Sequence, residues 1–151
     1  MGTLRIEELS ATTVVAANTL TLKKGQEQFI APASYAVAEA YFSPGTEWPR
    51  VVIDGDTVVG FIRGHFDEAS SQPYFKSCLW RLHIAADSQG KGVGTFAVNA
   101  LAEEAKSRGF DAITVLWDEG DEGPGEFFTK MGFAEIGRTP YGEVIGEKKL
   151  G

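Results

Sequence analysis

The sequence contains a single cysteine, few basic residues and no long apolar run. Because Cys78 is the only cysteine among 151 residues, an intramolecular disulfide and a cysteine-based zinc cluster are excluded. No apolar stretch approaches the roughly 20 residues that span a bilayer, and Met1–Ile6 has neither a signal-peptide core nor a myristoylation site. The 14 Lys and Arg residues against 21 Asp and Glu residues give a net charge of −7. That charge disfavours nucleic acid or an anionic membrane as the main partner and favours cationic ligands.

The remaining composition is that of an ordinary globular protein, with 43% hydrophobic and 23% charged residues. The length suits one domain. Neither an internal repeat nor a linker rich in Pro, Gly or Ser divides residues 1–151. We therefore expect a single cytoplasmic domain without a metal site.

Hydrophobic periodicity and turn residues predict a mixed α/β protein with one strand–helix–strand crossover at its centre. The helix at Gly92–Arg108 is the clearest element, because its apolar residues recur every three or four positions and Gly109 suits a left-handed cap. The predicted elements, in chain order, are a strand at Thr3–Glu8, helices at about Thr12–Leu22 and from Ser34 to just before Pro44, strands at Arg50–Ile53, Val58–Gly64 and Ser77–Ile84, the helix at Gly92–Arg108, a strand at Ala112–Trp117, a helix with Pro124 in its first turn, and strands at Ala134–Arg138 and Glu143–Leu150.

A glycine-rich turn, Gln89–Gly94, precedes the central helix. Unpaired N–H groups at a helix start attract phosphate oxygens, and glycines omit the Cβ atoms that would keep a pyrophosphate away. Lys91 adds a positive charge, although the same glycines also suit a plain turn that only redirects the chain. A Walker A loop is absent. A dinucleotide fingerprint is nearly matched at Gly92–Ala97, but Ala85–Lys91 separate it from the preceding strand, whereas that fingerprint turns directly off its strand.

Two motifs resemble the GNAT superfamily of acetyltransferases. Gln89–Gly94 reads Gln-x-x-Gly-x-Gly between an apolar strand and an amphipathic helix, as in that family's acetyl-CoA motif. Phe127–Phe133 looks like its Phe-Tyr-x-x-x-Gly-Phe segment. Four further stretches are similar to bacterial spermine/spermidine acetyltransferases: Gln26–Pro44, Leu79–Arg81, Glu119–Pro124 and Gly142–Glu143.

The resemblance implies an α/β fold with a mixed, mostly antiparallel sheet of about seven strands, about four helices and a central strand–helix–strand unit for acetyl-CoA. It implies that the fourth and fifth strands splay apart around the pantetheine arm, that a backbone N–H near Ile84 polarises the thioester carbonyl, and that the protein is a homodimer. The residues implied to bind acetyl-CoA are Leu82, His83, Ile84, Gln89, Gly90, Lys91, Gly92, Val93, Gly94, Thr95 and Phe128.

Transfer to an amine requires a proton acceptor, because alkylammonium groups have a pKa of about 10.4 and the neutral amine attacks. His83 on the motif strand is the candidate catalytic base. Alternatively its ring only packs. His65 on the neighbouring strand is a second candidate. The family's Tyr, which protonates the departing thiolate, is replaced here by Phe128, so we expect a slower enzyme that works without that acid.

The acceptor is expected to be a small cationic amine such as a polyamine. Four carboxylates occur among the five residues 118–122, where they either hold the amine or simply favour the following helix start. Tryptophan faces also bind ammonium groups, although they more often pack in the core. The candidate substrate residues are Trp80, Asp118, Glu119 and Glu143, with Glu47, Trp48 and Trp117 as further possibilities. The alternatives are a non-catalytic acetyl-CoA sensor domain, suggested by Phe128, and a nucleotide-dependent oxidoreductase.

Overall fold

Seven strands form one sheet in the computed structural model of this chain, which describes residues 4–8, 46–118 and 125–150. The helices predicted at 12–22 and 34–43 lie outside the described residues. The described strands are β1 (Leu4–Glu8), β2 (Glu47–Asp54), β3 (Thr57–Phe66), β4 (Ser77–Ile84), β5 (Ala112–Trp117), β6 (Ala134–Arg138) and β7 (Val144–Lys149), and the described α-helices are α1 (Val93–Ser107) and α2 (Gly125–Lys130). The predicted α/β class and the order of the described elements are confirmed, and the largest change of boundary is at β2, which begins three residues before Arg50.

The strands are ordered β1-β2-β3-β4-β5-β7-β6, and every neighbouring pair is antiparallel except β4 and β5. The predicted hairpin between β2 and β3 is present, with Gly55 at a φ of 63° in its turn. The connection from β4 to β5 runs through α1, because parallel neighbours require a long crossover. The fold is therefore a mixed sheet with one strand–helix–strand unit in its middle.

Helix α1 covers one face of the sheet. Its residues Val93, Ala97, Val98, Leu101, Ala102 and Ala105 are buried, as their spacing predicts. The core they enter also contains Ile62 of β3, Leu79 of β4 and Val115 of β5. Arg108 ends the helix, and Gly109 follows at a φ of 91°, which confirms the predicted left-handed cap.

On the other side of the sheet from α1, buried residues alternate with those of the core. Val51 and Phe61 are fully buried, and Cys78 is 2% exposed. None of the three belongs to the core cluster around α1. We call this the distal face.

The packing of Trp117 on Gly146 provides a test of the core around α1. A Cβ added at Gly146 would lie 2.5 Å from Cζ3 of Trp117 and 2.9 Å from its Cη2. Gly146→Ala therefore overpacks the core and is expected to lower the free energy of unfolding by about 1–3 kcal/mol, measured by urea denaturation. Gly137→Ala is the matched control in the neighbouring strand, since among the described residues its Cβ would meet only Ile145 Cδ1, at 4.0 Å. Equal stability of the two variants would contradict this packing.

Candidate functional site

The parallel strands β4 and β5 are joined over only two residue pairs. Cys78 pairs with Thr114 and Leu79 with Val115. Beyond Leu79, β4 stays paired with β3 as far as Ile84, but within the described part of the chain it has no further pairing with β5. The separation implied by the resemblance is thus confirmed. We call this opening the β4–β5 gap, with its narrow end at Leu79 and Val115.

A β-bulge lies where the gap opens. Leu79 pairs with Gly64 and Arg81 pairs with Arg63, so Trp80 is the extra residue of β4. A bulge bends its strand and increases the local twist, which carries the rest of β4 away from β5. On the β5 side of the narrow end, the hydroxyl of Thr114 donates to the carbonyl oxygen of Tyr74 at 2.5 Å, which ties β5 to the segment that precedes β4.

The predicted glycine-rich turn joins the wide end of the gap to α1. Gly90 has a φ of 78° and Gly92, the N-cap of α1, has a φ of 85°. Gly92 brings no capping side chain and the first turn contains no acidic residue. The first N–H groups of the helix therefore keep their positive potential. Among the described residues, no atom lies within 4 Å of a Cβ placed at Gly90 or Gly92, so no described side chain or backbone crowds these amides.

Two contacts hold this turn in place. The side-chain amide of Gln89 donates to the carbonyl oxygen of Ile84 at 2.9 Å, which ties the turn to the end of β4. The ring of Phe127 from α2 lies 3.0 Å from where a Cβ of Gly94 would be, so α2 packs closely on the start of α1. Lys91 and Thr95 are exposed, whereas Val93 is buried in the core.

The side chain of His83 is buried on the distal face, beside Phe61. His83 is 5% exposed, and its ring packs edge-on against Phe61 with centroids 5.8 Å apart. Its neighbours Leu82 and Ile84 are half-buried and pack against the core around α1. The ring of His83 is therefore enclosed, although its backbone lies on the β4–β5 gap.

Phe128 lies in an aromatic cluster of the core. It is 4% exposed, stacks on Trp117 with centroids 5.6 Å apart, and contacts Phe133 edge-on at 5.5 Å. Phe128 therefore packs α2 against β5 and provides no ionisable hydroxyl.

A buried polar cluster on the distal face combines residues that the sequence suggested only separately. Glu47 of β2 accepts hydrogen bonds from both Nε and Nη2 of Arg63 on β3. The second oxygen of Glu47 bonds Nδ1 of His65 at 2.5 Å. The side chains of Glu47 and Arg63 are 3% and 2% exposed, and that of His65 is 19% exposed. We call these three residues the Glu47 cluster.

The indole of Trp80 lies on the Glu47 cluster. Its ring centroid is 5.3 Å from that of His65 and 5.1 Å from the guanidinium carbon of Arg63. Phe75 and Arg81 contact the same ring at 5.2 Å and 5.6 Å. Trp80, predicted to bind substrate, is thus packed among this chain's own side chains at the narrow end of the gap.

Two of the predicted acidic substrate residues follow the last pair of β5 and β7. Trp117, the last residue of β5, pairs with Val144 of β7, and Asp118 and Glu143 are the next residues outward. The Glu143 carboxylate accepts a hydrogen bond from the Thr139 hydroxyl at 3.4 Å. Asp118 is exposed and Glu143 half-buried. Because side chains alternate between the two faces along a strand, Asp118 lies on the same face as Thr114, which is the distal face. The register of β7 assigns Glu143 to that face as well. Glu119 lies outside the described residues.

Comparison with known proteins agrees with this architecture. The model of the acetyltransferase (GNAT) family matches residues 17–133. The fold is similar to that of Ard1 from Thermoplasma volcanium, with a TM-score of 0.74, 16% identity and coverage of 97% of both chains. It is also similar to the PaiA N-acetyltransferase from Thermoplasma acidophilum in complex with coenzyme A, with a TM-score of 0.70, 17% identity and coverage of 97% of this chain and 98% of that one.

A third similar structure is the ribosomal-protein-S18-alanine N-acetyltransferase from Escherichia coli, with a TM-score of 0.70, 16% identity and coverage of 97% of this chain and 94% of that one. A search of curated protein sequences gives no significant match. No described helix has both the length and the apolar character to cross a membrane. The family match spans most of the chain, so the protein belongs to the GNAT acetyltransferases, enzymes that use acetyl-CoA as cosubstrate.

Cys78 lies one residue before the gap opens, yet it is unsuited to act as a nucleophile. It is 2% exposed, and burial raises the pKa of its thiol to about 12. Since this folded pKa lies above that of an unfolded thiol, about 8.5, its contribution to stability is present below about pH 8.5 and is lost as the pH rises towards 12.

We therefore expect Cys78 of the native protein to react with an aromatic disulfide reagent at pH 8 on the order of 10³-fold more slowly than in guanidinium-unfolded protein, because the thiolate is the reactive species. The measurement is the absorbance of released thiolate in each state. Equally fast labelling of native and unfolded protein would show that the thiol is accessible and ionised.

Proposed function

We propose that acetyl-CoA binds in the β4–β5 gap and that the enzyme transfers the acetyl group to a primary amine of a small cationic acceptor, of which a polyamine is an example. The observation that carries this proposal is that the gap opens directly beside the uncapped N-terminus of α1. A phosphate site and an open strand edge then lie within reach of one ligand.

In this arrangement the pyrophosphate lies on the amides from Gly90 to Thr95, where the helix dipole and Lys91 favour negative charge. The pantetheine arm follows the backbone of Leu82, His83 and Ile84, whose outer edge no longer pairs with β5. Gln89 keeps the turn in register with that edge. The PaiA enzyme of the same fold, crystallised with coenzyme A, supports this assignment.

The acceptor approaches from the distal face, opposite α1. Asp118 and Glu143 follow the last residue pair of β5 and β7 on this side, and the chain carries a net charge of −7. Two neighbouring carboxylates at the rim attract a second ammonium group of a diamine or polyamine while the first is acetylated. The two substrates thus reach the gap from opposite faces of the sheet.

Group transfer needs few side chains here. The amine nitrogen attacks the thioester carbonyl, and a backbone N–H of β4 along the gap stabilises the developing oxyanion. No tyrosine hydroxyl is present at Phe128, so coenzyme A departs as a thiolate and is protonated by water. A thiol with a pKa of about 8.5 is a tolerable leaving group in this form.

The phosphate site is tested by Gly92→Ala. Alanine pays about 1–2 kcal/mol in the left-handed conformation of residue 92, so the turn is expected to relax and the Kd for coenzyme A to rise on the order of tenfold, measured by isothermal titration calorimetry. Gly109→Ala is the matched control, since Gly109 has a similar φ, 91°, at the other end of the same helix. A Gly92→Ala variant that binds coenzyme A as tightly as Gly109→Ala would contradict the site.

The acceptor class is tested by thiol release from acetyl-CoA in the presence of spermidine, a neutral-tailed monoamine of similar length, and an N-terminal peptide. We expect spermidine to give the highest kcat/KM. Asp118→Asn and Glu143→Gln are each expected to raise its KM about two- to fivefold, the size of an exposed ion pair. Glu135→Gln, which removes an exposed carboxylate from β6, should leave that KM unchanged.

A higher kcat/KM for the peptide or the monoamine than for spermidine would contradict the polycationic acceptor, because the acidic rim would then contribute nothing to substrate choice. Binding of coenzyme A without turnover of any amine would instead favour a sensor domain.

A further inference from the structure

We infer that His65, oriented by Glu47, is the base that takes the proton from the acceptor amine, in place of His83. This inference rests on the proposed function and adds a catalytic residue to it. It is carried by the Glu47 cluster and by the position of that cluster relative to the gap.

His65 lies beside the strand that borders the gap. Its backbone partner across the sheet is Cys78, which itself pairs with Thr114 of β5. The His65 ring also contacts Trp80, the bulged residue at which β4 leaves β5. The imidazole therefore lies on the distal face at the narrow end of the gap, one strand away from the opening. The proposed acceptor approaches from this same face.

The path of the pantetheine arm sets the position of the thioester. From Ile84 back to Trp80 the strand runs four residues, or about 13 Å at about 3.3 Å per residue. A pantetheine arm that follows β4 from the phosphate turn points its sulfur towards the narrow end. The acyl group then lies nearer to Trp80 than to Ile84, in contrast to the carbonyl position near Ile84 that the family resemblance implies, and His65 comes within reach of the attacking nitrogen.

The hydrogen bond to Glu47 fixes the tautomer of His65. A carboxylate only accepts hydrogen bonds, so Nδ1 of His65 donates to Glu47 and the lone pair remains on Nε2. Two N–H groups of Arg63 and the hydroxyl of Thr46 hold the Glu47 carboxylate in place, the latter at 3.1 Å. A carboxylate that fixes one imidazole nitrogen and leaves the other as base is the arrangement used in catalytic triads.

The two histidines differ in access. His65 keeps 19% of its side chain exposed, whereas His83 is 5% exposed and its ring is turned against Phe61. A base must reach the proton it removes within a hydrogen bond or through one water. His65 combines an imidazole, a carboxylate partner and a partly exposed side chain.

The proton balance follows from these positions. Nε2 of His65 takes a proton from the acceptor ammonium and becomes an imidazolium, which the Glu47 carboxylate stabilises. The neutral amine forms a bond to the thioester carbonyl carbon. When the C–S bond breaks, the thiolate leaves with the bonding electron pair, and the remaining excess proton on nitrogen passes to it through water. The imidazolium then releases its proton to solvent, so the products are the amide, the free thiol of coenzyme A and one proton.

The charged and titratable described groups facing His65 are Glu47 of β2, Arg63 of β3, and Cys78 and Arg81 of β4, the last through Trp80. The Arg63 charge is matched by Glu47, and the Cys78 thiol is neutral. A base that accepts this proton is inactive once it is protonated, so loss of activity on acidification is its kinetic signature.

The test is the pH dependence of kcat for the best amine in wild-type enzyme and in His65→Ala and His65→Gln. Both variants are expected to lose about 10²–10⁴ in kcat with an unchanged KM for acetyl-CoA. Their activity should rise about tenfold per pH unit towards the pKa of the free amine, about 10.4, while wild-type activity levels off. Added imidazole should restore part of the activity of His65→Ala but not that of His65→Gln, which fills the site.

Two control variants separate chemistry from packing. Phe75→Ala removes another ring that contacts Trp80 and is expected to keep the acid limb of the wild-type profile. Glu47→Gln should lower kcat and move the acid limb, whereas Glu104→Gln, the same change in an ion pair of α1, should do neither. Thermal unfolding of Glu47→Gln checks that it folds, since the change leaves Arg63 buried without its counter-charge.

Wild-type turnover together with an unchanged profile in both His65 variants would overturn this inference and leave the proposed function standing. If the wild-type enzyme binds coenzyme A but acetylates no amine, the proposed function fails, and the role of His65 fails with it.

Discussion

The structure depends on the short contact between β4 and β5. Parallel strands in a buried sheet normally pair along their length, but here the pairing stops after Leu79 and Val115. The bulge at Trp80 supplies the bend, and Thr114, bonded to the loop before β4, keeps the strands together at the narrow end. Backbone groups of both strands are consequently left for a ligand rather than for each other. The helix that connects these strands begins beside the wide end, so its free amides complete the site.

The two faces of the sheet divide the work. The face under α1 is apolar and closely packed, with Gly64 and Gly146 admitting Leu101 and Trp117. The distal face instead buries a carboxylate and a guanidinium. Removing one member of a buried ion pair typically costs about 3–5 kcal/mol, whereas well-packed apolar residues in its place are often no less stable. The Glu47 cluster is therefore poorly explained by stability alone, and the support it gives to an imidazole at the narrow end of the gap provides a reason for it.

The sequence alone sufficed for the succession of the described strands along the chain, the central helix and the glycine turn, because period-2 and period-3.6 patterns and glycine positions report directly on backbone geometry. It also indicated the GNAT family. It did not reveal which groups meet across strands. Counting back from the Asp54–Thr57 turn would set Glu47 beside Gly64, but a register shift between Val52 and Ile53 sets it beside His65. A shift of one residue exchanges the faces, so the Glu47 cluster depends on a bulge that leaves no mark in the pattern. The burial of the His83 ring against Phe61 follows from the pairing of β3 with β4, which the sequence pattern alone does not set.

The proposed mechanism requires that the β4–β5 gap holds the thioester with its sulfur at the narrow end. The most direct measurement is a crystal structure of the protein with coenzyme A. This mechanism predicts the pyrophosphate on the amides from Gly90 to Thr95, the pantetheine arm along Leu82–Ile84, and the sulfur closer to Trp80 than to Ile84. Coenzyme A bound away from this turn, or β4 and β5 paired beyond Leu79 so that no gap exists, would contradict it.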